Sequence, residues 1–263
     1  MPGTAGRGVN YWTAAPGLAH AFGPAGADGA TSVPLELTIR TLAAILPDRP
    51  LRVVDLGGGD AVLAIRLSAM NHAVVAQDID PHMIARGEQR LARHPRAIRD
   101  RIRLICADGA TIAADQVGIA DLVCCHSVLM YEDDPAPLVR TIVALCKPDG
   151  LVSIIAINPA AAAMRAGLAG RWREARIALE TGDDAHGPYA ASRNHARETI
   201  VALLAAAGAA VVAWSGIGIF TDHHSGAIVA DDPQEVLRAE WLAGRQDPYR
   251  QVARCYHLIA RKT

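Results

Sequence analysis

Lysine is almost missing from these 263 residues, with only Lys147 and Lys262, so arginine carries nearly all the positive charge. Together with abundant alanine, that bias looks like the codon usage of a GC-rich genome and carries no mechanistic information. An excess of either charge is also lacking: 26 basic residues face 27 acidic ones, for a net charge of -1. That balance excludes nucleic-acid binding through bulk charge and leaves an RNA partner only a local patch. No continuous apolar run reaches the roughly 18 residues of a membrane span; Leu151 to Ile157 and Val201 to Trp214 are too short or interrupted. A basic start followed by an apolar block and a small-residue cleavage site is absent too, so a cytoplasmic protein is expected. The five cysteines are never spaced as C-x-x-C, which favours free, buried thiols over disulfides or zinc ligands. Hydrophobic residues at 51% and charged residues at 20% exclude disorder of the whole and provide the core of one large domain.

Residues 1–31 are broken repeatedly by Pro16, Gly23, Pro24 and Gly29 and read as an arm or lid without helical or strand period. From Ser32 the pattern changes: a cap, Pro34 in the first turn, then Leu35, Ile39, Leu42 and Leu46 at helical spacing. The strand signals are Leu51–Leu56, Ala73–Ala76, Ile102–Cys106, Asp121–Cys125, Leu151–Ile157, Ala210–Ser215 and Cys255–Arg261. Helical patterns at Ala61–Met70, Pro81–Arg93, Ala136–Leu145, His195–Ala207 and 231–244 separate them. This alternation predicts an α/β fold, a Rossmann-like, seven-stranded, mostly parallel sheet with helices on both faces and a final antiparallel strand. Residues 32–263 form the main domain, and about 159–194 form a helical insertion after strand five.

The informative motif is Val53-Val54-Asp55-Leu56-Gly57-Gly58-Gly59-Asp60. Glycines directly after a buried strand let backbone approach a ligand with no Cβ in the way, at the start of the following helix. A dinucleotide fingerprint needs a third glycine where this chain has Val62. Asp60 would also set a negative charge beside a diphosphate, so the turn suits a cofactor with an ammonium or sulfonium and no phosphate. Asp78 follows strand two, where a carboxylate can accept ribose hydroxyls, and Ile79 and Met83 can flank an adenine. Asp108 and Gly109 follow strand three, and His126 follows strand four, at the carboxyl edge where open α/β sheets bind ligands.

The D-x-G-x-G turn with an acid after the next strand resembles class I S-adenosylmethionine-dependent methyltransferases. That resemblance implies S-adenosylmethionine as cofactor, held by Asp55, Gly57, Gly58, Gly59, Asp78, Ile79, Met83, Asp108, Gly109 and His126, with no metal. Further motifs are His126-x-Val128-Leu129, Asn158, the Gly216 to Asp222 run and the tail with Glu240, Arg245 to Tyr249, Arg254 and Tyr256-His257. These are similar to bacterial tRNA 5-carboxymethoxyuridine methyltransferases, which methylate a carboxylate on the wobble uridine. Two departures weigh against tRNA. The family's lysine-rich loop is replaced by Glu180-Thr181-Gly182-Asp183-Asp184-Ala185-His186, and its N-terminal arginine falls near Thr31. A small-molecule acceptor in specialised metabolism is therefore the leading expectation, with tRNA as the alternative. His223 and His257 are the expected bases, and Tyr11, Trp12, Tyr131, Asn158 and Trp172 the expected acceptor contacts. The sequence assigns no oligomeric state.

Overall fold

The computed structural model describes residues 32–182, 194–223 and 232–263. The arm at 1–31 with Tyr11 and Trp12, the acidic stretch from Asp183 and the histidine at 224 lie outside the described residues. Helix α1 (Val33–Ile45) opens with Ser32 at its N-cap and Pro34 in the first turn, though Ser32 makes no side-chain cap bond. It turns Leu37, Thr38, Ile39, Thr41 and Leu42 inward.

Strand β1 (Arg52–Leu56) leads into helix α2 (Val62–Ala69), and β2 (Ala73–Asp78) into α3 (Pro81–Leu91). After the short helix α4 (Arg96–Arg99) come β3 (Ile102–Cys106), α5 (Ala114–Val117) and β4 (Ala120–His126). Neither α4 nor α5 was signalled by periodicity, since four residues are too few to show one. Helix α6 (Ala136–Leu145) then precedes β5 (Cys146–Ile157). Residues 147–150 lie inside β5 as an irregularity, where the register with β4 shifts and Asp149 takes φ 59°. Beyond β5 lie α7 (Met164–Leu168), α8 (Trp172–Thr181), α9 (Arg197–Ala206), β6 (Ala209–Ile217), α10 (Pro233–Ala243) and β7 (Cys255–Lys262).

The strands form one sheet in the order β3-β2-β1-β4-β5-β7-β6. All neighbours from β3 to β5 are parallel, and β7 runs antiparallel to both β5 and β6. Alternate side chains of the central strands serve opposite cores, as a sheet buried on both faces requires. Val54, Leu56, Val123, Cys125, Val152 and Ile154 meet Leu138, Val139 and Ile142 of α6 and Ile200 and Leu204 of α9. Val53, Val74, Leu122, Cys124 and Ile259 meet Ile39 and Leu42 of α1 and Leu63, Ala64 and Leu67 of α2. Each large side chain fully removed from water contributes about 2 kcal/mol, so a one-residue slip of a strand would forfeit both cores. All five cysteines are free; Cys124, Cys125, Cys146 and Cys255 are buried, whereas Cys106, at the end of β3, is exposed. No helix among the described residues is long and apolar enough to cross a membrane.

Candidate functional site

The glycine turn after β1 is built against the end of β2. Gly57 and Gly59 adopt φ +70° and +54°, and a Cβ on Gly57 would lie 2.2 Å from Val128 Cγ2. Both positions therefore require glycine, for conformation and at Gly57 also for space. Gly58 N–H donates to the Gln77 carbonyl at 2.8 Å, and Gly59 N–H donates to Asp78 Oδ2 at 2.9 Å. The other Asp78 oxygen accepts from the Asp80 amide at 2.9 Å. Burial nonetheless raises the Asp78 pKa above the ordinary carboxylate value.

Asp55 lies directly beneath this turn, with Oδ2 2.9 Å from where a Gly58 Cβ would stand. That oxygen is buried and has no hydrogen-bond partner. Burial, reinforced by the charge of Asp78, pushes the Asp55 carboxyl up to about 7. Met83 is buried and reaches to 3.2 Å from the position of a Gly59 Cβ, while Ile79 is 55% exposed at the rim. Asp108 Oδ1 accepts from the Ala110 amide at 2.9 Å, and Gln77, bonded to the Ala107 carbonyl, packs under Gly109. Asp55, Gly57, Gly58, Gly59, Asp78, Met83, Asp108 and Gly109 thus share one stretch of the carboxyl edge.

Asp60 has another task than the one its position in the motif suggested. It is buried and paired with Arg90 at 2.7 Å and Arg86 at 3.4 Å, so its charge clips α3 to the turn instead of facing a ligand. His126 closes β4, where Ser127 takes φ 59° and donates its N–H to the Ile155 carbonyl at 2.8 Å. The ring of His126 leans toward β5, with Nε2 2.8 Å from Ser153 Oγ.

The other half of the edge, beyond β5, corrects several expectations. His257 is fully buried inside β7, 2.8 Å from Ser153 Oγ, and burial holds its pKa well below the usual imidazole range. A base must reach its acceptor, so His257 does not serve as one. Asn158 does not offer its amide to a ligand either. Its Nδ2 donates to the Gln251 and Ala253 carbonyls at 2.9 Å each, and its Oδ1 accepts from Ala160 N–H at 3.1 Å. Tyr131 packs on the cluster of Leu37, Met130, Ile155 and Ile157, and Trp172 is 73% exposed at the start of α8.

His223 does stand at a surface hollow, together with Met164, Arg165, Leu168, Ile219, Asp222 and Arg254. Arg254 is buried and lies 3.9 Å from Asp222. Glu240, given no role by sequence reasoning, holds the loop that brings Gly218 and Ile219 to this hollow. It is 1% exposed and accepts from the amides of Ile219, Phe220 and Thr221 at 3.0, 2.9 and 2.8 Å, and from the Thr221 hydroxyl at 2.8 Å. An acid within the apolar pattern of α10 was the available signal, because a buried carboxylate must be met by donors. The segment 218–220 consequently loops around Glu240 and does not prolong β6.

With this geometry in place, comparison with known proteins gives three findings. Residues 54–152 match the model of a methyltransferase domain. The chain is 27% identical over 226 residues to the tRNA 5-carboxymethoxyuridine methyltransferase of Escherichia coli (strain K12), covering 85% of this chain and 84% of that one. A ubiquinone biosynthesis O-methyltransferase of Xanthomonas axonopodis pv. citri (strain 306) is 25% identical over 126 residues, 48% of this chain and 51% of that one. Among solved structures, magnesium protoporphyrin IX methyltransferase from Synechocystis PCC 6803 with bound SAH superposes with a TM-score of 0.58 at 15% identity, covering 87% and 82% of the two chains. The [4+2]-cyclase SpnF gives the same TM-score at 18% identity, with coverage of 87% and 81%; at such identities the likeness concerns the fold. Residues 54–152 thus carry a methyltransferase domain, the whole has the Rossmann-like methyltransferase fold, and the protein is an S-adenosylmethionine-dependent methyltransferase. Its similarity to the tRNA 5-carboxymethoxyuridine methyltransferase extends over 85% of the chain.

Proposed function

We propose that the protein methylates an oxygen or nitrogen of a small molecule, with the cofactor on the β1–β4 side of the edge and the acceptor approaching from the side of His223. The residues present fit the cofactor. The turn leaves no room for side chains, Asp78 offers a carboxylate at the end of β2, and Asp55 keeps a buried oxygen without a partner. When bound, S-adenosylmethionine supplies an electrophilic methyl on a sulfonium. The chain's own work is to hold the acceptor in line and exclude water. Asp78 and Asp108 are assigned to the ribose and adenine, with Gly57–Gly59 against the methionine portion. His223 is the accessible base for an acceptor that must lose a proton.

The observation that carries the small-molecule reading is the character of the hollow's surroundings. Its wall is apolar at Ala161, Met164, Leu168 and Ile219. On the neighbouring α8, Arg171 is paired with Glu174 at 2.9 Å and Arg176 with Glu180 at 2.5 Å. Over residues 161–186 four arginines are balanced by four carboxylates, which makes a poor track for phosphates. The second reading, carboxyl methylation of modified tRNA, draws on the likeness over 85% of the chain and on Arg165 and Arg254 in the hollow, which suit a carboxylate acceptor. Transfer of labelled methyl from S-adenosylmethionine into a host extract, fractionated into tRNA, protein and small molecules, decides between them. The expected result is label among the small molecules; label in nuclease-sensitive tRNA would replace the first reading with the second.

A further inference from the structure

Three polar side chains on adjacent strands of the buried sheet, His126, Ser153 and His257, form one hydrogen-bonded cluster. His126 Nε2 and His257 Nε2, from the strands on either side of β5, each lie 2.8 Å from Ser153 Oγ, and the two rings meet edge to face with centroids 5.5 Å apart. The hydroxyl has one proton to give and two lone pairs to receive. His257 is fully buried, and its other nitrogen, Nδ1, has no hydrogen-bond partner. A proton on Nδ1 would be an orphaned N–H in the core, costlier than an orphaned lone pair. The His257 proton therefore sits on Nε2 and is donated to Ser153.

Ser153 can then pass its own proton to His126 Nε2 or to Cys124, the residue opposite it on β4. An imidazole nitrogen is the strong acceptor of the two and a thiol sulfur the weak one, so the hydroxyl points at His126. Burial keeps both rings neutral: it pushes His126 down to about 3, and for His257 the neighbouring His126 and Arg245 act in the same direction. A neutral ring that accepts at Nε2 carries its proton on Nδ1. Because Nε2 faces inward, Nδ1 is the nitrogen left for a ligand at the partly accessible end of β4.

We infer that Ser153 and His257 are positioning residues which lock His126 in its Nδ1–H form, so that this ring donates a hydrogen bond to a carboxylate or carbonyl oxygen bound at the edge. In that form the nitrogen facing the ligand has no lone pair to receive an acceptor's proton, the Nε2 lone pair being turned to Ser153, so the ring does not act as a general base there. The inference does not depend on whether the acceptor is a small molecule or tRNA.

Nitrogen-15 NMR of the histidine-labelled full-length protein at pH 7 reads the tautomer of each ring directly, with the His126 signals identified by their loss in His126→Asn. The expected result is a protonated Nδ1 on His126 and a protonated Nε2 on His257. In Ser153→Ala the His126 Nε2 resonance should move toward the protonated position. In His257→Gln, whose amide N–H can replace the lost donor, it should stay. His126 protonated on Nε2 in the unaltered protein overturns the inference, and this needs no variant to fold. An unchanged His126 tautomer in folded Ser153→Ala overturns it equally.

Discussion

Between Arg52 and Gly109, each group at the edge is held by the next strand or the next turn: Gly59 by Asp78, Gly58 by the backbone of Gln77, Asp108 by Ala110. Beyond Ser153 the links are long. Asn158 is tied to Gln251 and Ala253, and Ser153 to His257. The first half is a local device that repeats the βαβ unit. The second is assembled from segments that meet only when the sheet closes. Methyltransferases with unlike acceptors can share the first while differing in the second, and the 25% identical Xanthomonas enzyme aligns with less than half of this chain.

The sharpest way to break the comparison is to disturb the far half of the edge without touching the near one. Glu240→Ala leaves three amides and a hydroxyl without their acceptor. It should cost on the order of 3–4 kcal/mol in thermal or denaturant unfolding, with affinity for S-adenosylhomocysteine retained in the folded fraction. Lost affinity in that fraction would mean that the halves are coupled.

Asp78→Ala makes the converse cut. Calorimetric titration should show affinity for S-adenosylhomocysteine reduced roughly 100-fold, with the loop after β6 unaffected. Unchanged affinity would remove Asp78 from the cofactor site.

A smaller effect sharpens the local half. Asp55 holds its proton to about pH 7 in the folded protein and only to an ordinary carboxylate value when unfolded. The folded pKa is the higher one, so the stability Asp55 contributes is complete in acid and is lost as pH rises from about 4 through 7. His126 and His257, lowered by burial, act in the opposite sense but are common to both proteins in a comparison with Asp55→Asn. The variant should gain about 2 kcal/mol on the unaltered protein between pH 5 and pH 8, read from paired unfolding curves. A constant difference would show that the carboxylate is already charged beneath the turn.

The same contrast explains what could be read from the chain. Three glycines after a β-branched run, with acids after the two following strands, are contiguous signals tied to chain direction, and each lands where the alternation of strands and helices puts it. Asn158 and His257 were legible as polar residues near the edge but not as buried ones. The carbonyls of Gln251 and Ala253 and the hydroxyl of Ser153 reach them across about a hundred positions, and no periodicity records that. Asp60 shows a subtler failure: it stands in the motif, yet Arg86 and Arg90, one turn apart on α3, claim it.

The place of β7 has a consequence for how the molecule is made. Residues 255–262 form the strand between β5 and β6, and among the described residues β6 has no other partner in the sheet. On a translating ribosome, at about 5–20 residues per second, β6 therefore waits on the order of seconds before anything can pair with it. Strands β1 to β5, already in order, can form their parallel ladder meanwhile. A nascent chain stopped before Cys255 has every strand of the cofactor side and none of the pairing that closes the acceptor side.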